Sequence, residues 1–262
     1  MRIDGKKIAA SLTEMLRARS APERAIVAIL VGHDPSSKSF LRQKGIVAAA
    51  LGIAFSVREL PPESTTQEVI LVIDELKADK GVGGIIVQLP LPQQVSRSAV
   101  LAAIPPEKDI DCLTPSNLGE FERGSALMPP AAGAIEAITQ TLDLPLGRMR
   151  AAVVGRGLLV GMPAATYLKR HARLVEVLGR ADDLKKRILE ADLIVSGTGE
   201  KNLISAEYVR EGAVVIDFGY PHDADFEAID KKGGIVTPTP GGTGPIVVAK
   251  LFENFYRLNG RF

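Results

Sequence analysis

Short runs of consecutive apolar, largely β-branched residues recur along the chain, at positions 25–31 (AIVAILV), 84–89 (GIIVQL), 151–154, 174–178, 193–195 and 213–218. They are too short for buried helices and most end at Gly or Pro, the pattern of strands covered on both faces of a parallel sheet. Between them, residues 39–51, 66–78, 163–171 and 182–190 place apolar side chains at intervals of three and four, the spacing of amphipathic helices. Strand and helix alternate, and that alternation predicts an α/β protein.

The alternation breaks once. Residues 105–130, beginning IPPEKDIDCLTPSN, carry prolines, charges and turn formers without a clear strand, and predict a loop at a domain junction. A helix is expected over 131–144, leading into a second αβ half whose first strand starts near Arg150. The last segment, 247–258 (VVAKLFENFYRL), returns to helical spacing and is expected to pack back on the first half. The expected division is therefore a first domain of residues 1–130, rejoined by a helix over 246–262, and a second domain of residues 131–245.

Composition narrows the function classes. A chain of 262 residues, 46% apolar and 24% charged, is globular and long enough for one large domain or two modest ones. Its 32 basic and 31 acidic side chains leave a net charge of +1, without the basic footprint of a nucleic-acid binder. One cysteine, Cys112, excludes an intramolecular disulfide, and His33, His171 and His222 are too scattered for a local metal motif, so no metal is expected. No apolar run approaches the roughly 18 residues of a membrane span, and the opening MRIDG does not read as a signal peptide. A cytoplasmic protein with no membrane partner is expected.

The sharpest local signal is Gly155-Arg156-Gly157-Leu158-Leu159-Val160-Gly161, which follows a predicted strand and enters a predicted helix with Pro163 in its first turn. Phosphate oxygens need close backbone N–H donors, and a loop without Cβ bulk at a helix start supplies them. The spacing is GxGxxxG rather than the usual GxGxxG, and glycine turns of this kind also serve packing alone. The dinucleotide reading predicts a Rossmann-like second half. Beyond its second strand comes Gly179-Arg180 instead of a terminal acidic residue, which favours a 2′-phosphate, hence NADP, with NAD possible. Arg156 is a candidate second phosphate ligand; Glu176, inside the strand, is a ribose ligand if the register differs.

In the first half, Ser36 or Ser37 is expected to cap the helix after VGHDP. Phe40 and Lys44, four apart, share a face of that helix; such a pair is ordinarily a surface one, the lysine stem lying along the ring. Gln88 closes the apolar strand, where α/β sheets carry their sites, and Asp109 and Asp111 punctuate the junction loop. His33 reads as an exposed turn residue and Cys112 as a small packing residue.

Six ordered segments, VGHDPSSKSFLRQK, GGIIVQLPLP, PPEKDIDCLTPSNLG, VVGRGLLVGMP, GAVVIDFGY and VTPTPGGTGP, resemble the bifunctional methylenetetrahydrofolate dehydrogenase/methenyltetrahydrofolate cyclohydrolase family over nearly the whole chain. The resemblance implies two αβ domains flanking a cleft, a folate substrate, NADP, and a homodimer. It implies Lys44 as catalytic lysine, Gln88 as its assistant and Asp111 as pterin ligand. It places Phe40, Pro240, Gly241 and Gly242 against folate, and Gly155, Arg156, Gly157, Gly161, Arg180 and Thr198 against the cofactor. Departures from the family pattern are Phe40 for tyrosine, Cys112 for glycine, Gly157 for serine, Met128-Pro129-Pro130-Ala131 for a PCTP-like segment, and Gly179-Arg180 for a His-Ser pair.

Overall fold

The computed structural model describes residues 1–179 and 181–262. They form two compact units, one of Ser11–Pro129 with Val248–Phe262, the other of Met1–Ala10 with Pro130–Val247.

The first unit takes α1 (Gly5–Arg17) from Ser11 onward, then β1 (Ala25–Val31), α2 (Pro35–Ala50), β2 (Phe55–Leu60), α3 (Thr66–Ala78), β3 (Val82–Val87), α4 (Arg97–Ala103) and α5 (Pro115–Glu122). Its three strands are parallel in the order β2-β1-β3. Central β1 is buried after its first residue and β3 is buried throughout, as unbroken apolar runs require. Edge strand β2 (FSVREL) exposes its four middle residues, which is why no apolar run announces it. Gly84 admits the C-terminal residues to the sheet, since a Cβ there would lie 3.0 Å from the Phe255 ring and 3.1 Å from Ile110. Phe252, Phe255 and Tyr256 accordingly join Ile26, Leu30 and Ile86 in one core. The junction loop is more ordered than its composition suggests. Thr114 caps α5 and Pro115 opens it, so residues that read as turn formers are a helix start.

The second unit holds α6 (Pro130–Thr141), β4 (Arg150–Val154), α7 (Gly161–His171), β5 (Leu174–Leu178), α8 (Leu184–Leu189), β6 (Leu193–Ser196), β7 (Val214–Asp217), α9 (Phe226–Lys231), β8 (Ile235–Val236) and the start of α10 (Thr243–Leu258). Its five strands are all parallel, in the order β5-β4-β6-β7-β8. Residues 1–10 group here, not with 11–129 as the sequence division had them. The reason is hydrogen bonding: Ile3 N–H donates to the Val236 carbonyl at 2.9 Å, Val236 N–H to that of Met1 at 3.0 Å, and the terminal ammonium to Asp230 at 2.6 Å. Among the described residues, no helix is long and apolar enough to cross a membrane.

Candidate functional site

Asp34, not Ser36 or Ser37, caps α2: with Pro35 at the first helical position, its carboxylate accepts the Ser37 N–H at 2.8 Å and the Ser36 hydroxyl. The buried face of α2 is Ser37, Leu41, Lys44 and Ala48, spaced by four, three and four. Lys44 thus occupies a position on the core-facing stripe and is only 4% exposed, which overrides the ordinary surface reading of its spacing from Phe40. Its Nζ donates to Gln88 Oε1 at 3.2 Å and lies 5.0 Å from the centroid of the half-buried Phe40 ring. Gln88 follows β3 directly; its Nε2 donates to the Leu89 carbonyl at 2.8 Å, which turns the amide oxygen toward the lysine.

The segment that carries Asp111 is tied down by its neighbours. Lys108 Nζ donates to the carbonyls of Leu76, Lys77 and Asp79 at 2.8, 3.0 and 2.6 Å, satisfying oxygens that the end of α3 leaves open. Fully buried Asp109 accepts from Leu113 N–H, Thr114 N–H and Asn117 Nδ2 at 3.1, 2.8 and 3.0 Å. Asp109 is therefore structural, while Asp111, two residues on, faces Lys44 electrostatically. Burial pushes the Lys44 ammonium below the ordinary lysine value, and the Asp111 charge opposes that shift. Burial raises the Asp111 carboxyl; Lys44 pulls it back and Asp109 raises it further. The surroundings thus favour the neutral form of each group, and the pairing of the two favours the charged form.

Cys112 adopts φ 54°, a left-handed conformation that suits glycine. Its thiol is buried and raised by burial and by Asp109 and Asp111, so it is no nucleophile. His33 is an exposed turn residue 4.0 Å from the Glu59 carboxylate. Among the described residues, no group of three His, Cys, Asp or Glu side chains is placed to hold a metal ion.

In the second unit, β5 and β6 lie on opposite sides of β4, so the carboxyl end of β4 is the topological switch point where open α/β sheets bind ligands. The loop 155–161 leaves β4 there. Gly155 has φ 101°, and a Cβ on Gly161 would overlap the Gly155 carbonyl, whereas Gly157 has open space around it. Val160 precedes α7 without a side-chain cap. An open glycine turn and an uncapped helix start fit a pyrophosphate. Thr198, after β6, packs beside this loop, since a Cβ on Gly155 would lie 3.2 Å from its methyl; its N–H donates to Asp223 at 2.7 Å.

Arg156 reaches the end of β5, 3.4 Å from the Val177 carbonyl. Glu176 sits within that strand opposite Ala152 and pairs with Arg187 at 3.4 Å. Arg180 lies outside the described residues. Pro240, Gly241 and Gly242 form a turn in the second unit, where Gly241 takes φ 96° and packs on Lys6. Gly5, which the sequence did not single out, lies against the Gly242 carbonyl with no room for a side chain. The sequence also passed over two buried carboxylates, Asp217 at the end of β7 and Asp223 in the loop that follows; Asp217 accepts the N–H groups of Gly219 and Ala224 at 2.6 and 2.9 Å. Asp217 has one sequence signal, an acidic residue at a strand's carboxyl end; Asp223, in a loop, has none.

The model of the tetrahydrofolate dehydrogenase/cyclohydrolase catalytic domain matches residues 3–111, and that of the corresponding NAD(P)-binding domain matches residues 129–261. A "Bifunctional protein FolD" of Lactobacillus delbrueckii subsp. bulgaricus is 37% identical over 274 aligned residues, covering 99% of this chain and 97% of that protein. The crystal structure of the bifunctional methylenetetrahydrofolate dehydrogenase/cyclohydrolase FolD from Campylobacter jejuni superposes with a TM-score of 0.93 at 31% identity, covering 99% of this chain and 98% of that one. That of Trypanosoma brucei, complexed with NADP cofactor and inhibitor, gives 0.93 at 29% identity over 99% and 97%. Matched in both halves and by full-length relatives, the chain belongs to the tetrahydrofolate dehydrogenase/cyclohydrolase family.

Proposed function

We infer that this protein oxidises 5,10-methylenetetrahydrofolate to the 5,10-methenyl form with NADP and hydrolyses that product to 10-formyltetrahydrofolate. The observation that carries the reading is a buried lysine, Lys44, hydrogen-bonded to Gln88 and coupled to Asp111 in a chain of this family. When bound, NADP supplies the acceptor for the hydride that leaves the methylene carbon. Gly155, Arg156, Gly157, Gly161 and Thr198 would hold it, with Arg180 assigned from its sequence position. Asp111 accepts hydrogen bonds from the pterin amino and ring N–H groups. Phe40 offers a ring face for stacking, and Pro240, Gly241 and Gly242 are assigned to folate from the resemblance of their segment alone.

Hydride loss needs little acid–base help, because the two folate nitrogens stabilise the cation, so there the protein mainly orients its ligands. Hydrolysis does need a proton carrier. Water adds to the methenyl carbon and gives a proton to neutral Lys44 Nζ; the bond from that carbon to one ring nitrogen then breaks as the nitrogen takes up a proton. Burial lowers the Lys44 pKa and so favours the neutral amine, and the Gln88 carbonyl oxygen holds it in place.

A second copy of the chain is the expected partner. Edge strand β2 is open along one side, and Val57 and Ile46 are 39% and 63% exposed, which supports a homodimer testable by sedimentation. The single buried thiol suits a reducing, cytoplasmic setting.

The decisive experiment follows reduced nicotinamide and methenyl absorbance together, with methylenetetrahydrofolate as substrate and NADP or NAD as acceptor. Reduction with NADP and little methenyl build-up is expected. No reduction with either nucleotide overturns the reading. Stoichiometric methenyl accumulation selects a monofunctional dehydrogenase, the alternative favoured by the missing hydroxyl at Phe40.

A further inference from the structure

The geometry points to Asp182 as the residue that sets the discrimination between a 2′-phosphorylated and an unphosphorylated adenosine ribose. The inference rests on the cofactor site proposed above. In a doubly wound sheet the ribose lies at the carboxyl end of the strand beside the glycine loop's own strand, here β5. Among the described residues, three groups meet there. Arg156, 68% exposed, extends from the glycine loop to that strand end, and Gly179 presents its N–H just past it. Asp182, 40% exposed, places a single oxygen, Oδ2, 2.7 Å from the Gly179 nitrogen and 3.8 Å from Arg156 Nη2.

A guanidinium and a backbone N–H converging on one oxygen are the donor set of a phosphate site. The chain fills it with its own carboxylate. An ion pair this exposed is weak enough for an incoming anion to displace. A 2′-phosphate, which carries about −1.5 to −2 charge, must do so, taking over both donors against the repulsion of a carboxylate that remains close. An unphosphorylated ribose leaves Asp182 where it is, able to accept the 2′-hydroxyl proton in a hydrogen bond, as acidic residues in this region do. Asp182 therefore works against NADP and for NAD, and narrows a preference that the basic side chains would otherwise make wider. The sequence, read for a terminal acidic residue directly after the strand, passed over it because the acid comes four positions beyond the last strand residue and folds back.

Calorimetric titration with adenosine 2′,5′-bisphosphate and with 5′-AMP, which differ only in the 2′-phosphate, tests this on the full chain without turnover. Asp182→Asn keeps an oxygen acceptor for the Gly179 N–H and removes the charge; Asp182→Ala removes both. Each variant is expected to bind the bisphosphate about three- to tenfold more tightly than the parent, the scale of one half-exposed like-charge contact removed. Neither is expected to bind 5′-AMP more tightly, and the KM ratio of NADP to NAD should fall in parallel. Unchanged or weaker bisphosphate binding, in variants whose melting temperatures match the parent, overturns the role of Asp182 and leaves the cofactor site standing. A parent that binds neither nucleotide overturns the site, and this inference with it.

Discussion

Replacing Lys44 by methionine isolates the group on which the proposed hydrolysis depends. The two side chains are similar in length, and the methionine keeps the apolar contacts of the stripe Ser37, Leu41, Lys44, Ala48. What goes is the amine that donates to Gln88 at 3.2 Å and senses the Asp111 charge. A positioned proton carrier contributes about 10² to 10⁴ in rate, or ~3–5 kcal/mol of barrier, so methenyl hydrolysis should fall by at least a hundredfold. Hydride transfer needs no proton from Lys44, and NADP reduction should stay measurable. Lys44→Arg separates charge from proton exchange, because a guanidinium stays protonated throughout. If Lys44 acted only as a fixed cation, arginine would restore hydrolysis; as a proton carrier it does not. Parent hydrolysis should also rise with pH as the amine deprotonates, with its midpoint below the ordinary lysine value of 10.5. The assay supplies methenyltetrahydrofolate and follows its absorbance decay against the uncatalysed rate, with NADPH formation measured separately. Equal hydrolysis in Lys44→Met and parent would refute the reasoning.

Asp111→Asn removes the charge that holds the Lys44 amine up, so the acid limb of the hydrolysis profile should move to lower pH. Folate KM should rise about tenfold, the scale of a charged hydrogen bond; an unmoved limb together with an unchanged KM counts against both roles. Gly161→Ala drives a methyl into the Gly155 carbonyl and should cost about 1–3 kcal/mol in urea unfolding and raise the KM for NADP; wild-type values in both would show that the loop has room. Buried Asp217 is raised from 3.8 to about 6, chiefly by burial, with Asp223 adding to it against the hydrogen bonds from Ala224 and Gly219. A raised carboxyl gives stability that is complete below its unfolded value and is lost as pH rises through the folded one. Asp217→Asn, with no charge to bury, should gain on the parent by up to ~3 kcal/mol between about pH 4 and 7, on top of a constant loss for the missing acceptor. A parent–variant difference that is flat with pH would place the titration elsewhere.

Certain parts of this protein are written locally. The runs at β1, β3, β4, β6 and β7 read as strands because central parallel strands are apolar on both faces, and α3 reads as a helix because its apolar residues recur at intervals of three and four; the structure adds a capping box of Thr65 and Glu68 at its start. Edge strand β2 escapes the same reading because exposure removes the pattern. The glycine loop after β4 is legible because backbone approach excludes Cβ atoms whatever the ligand. Chemistry carried by single side chains is another matter. The four-residue step from Phe40 to Lys44 is the same whether the lysine trails across a surface or is enclosed; the packing of the α2 stripe decides it. Asp109 and Asp111 are the same residue two positions apart, and only the hydrogen bonds to Leu113, Thr114 and Asn117 make the first a strut and leave the second to face Lys44. Asp182 acquires its meaning when the chain after β5 turns back on Gly179. Periodicity and backbone sterics act over a few neighbouring residues, so the sequence determined the strands, the helices and the phosphate-sized turn. Desolvation and charge pairing depend on which distant segments close around a group, and that the tertiary structure alone decided.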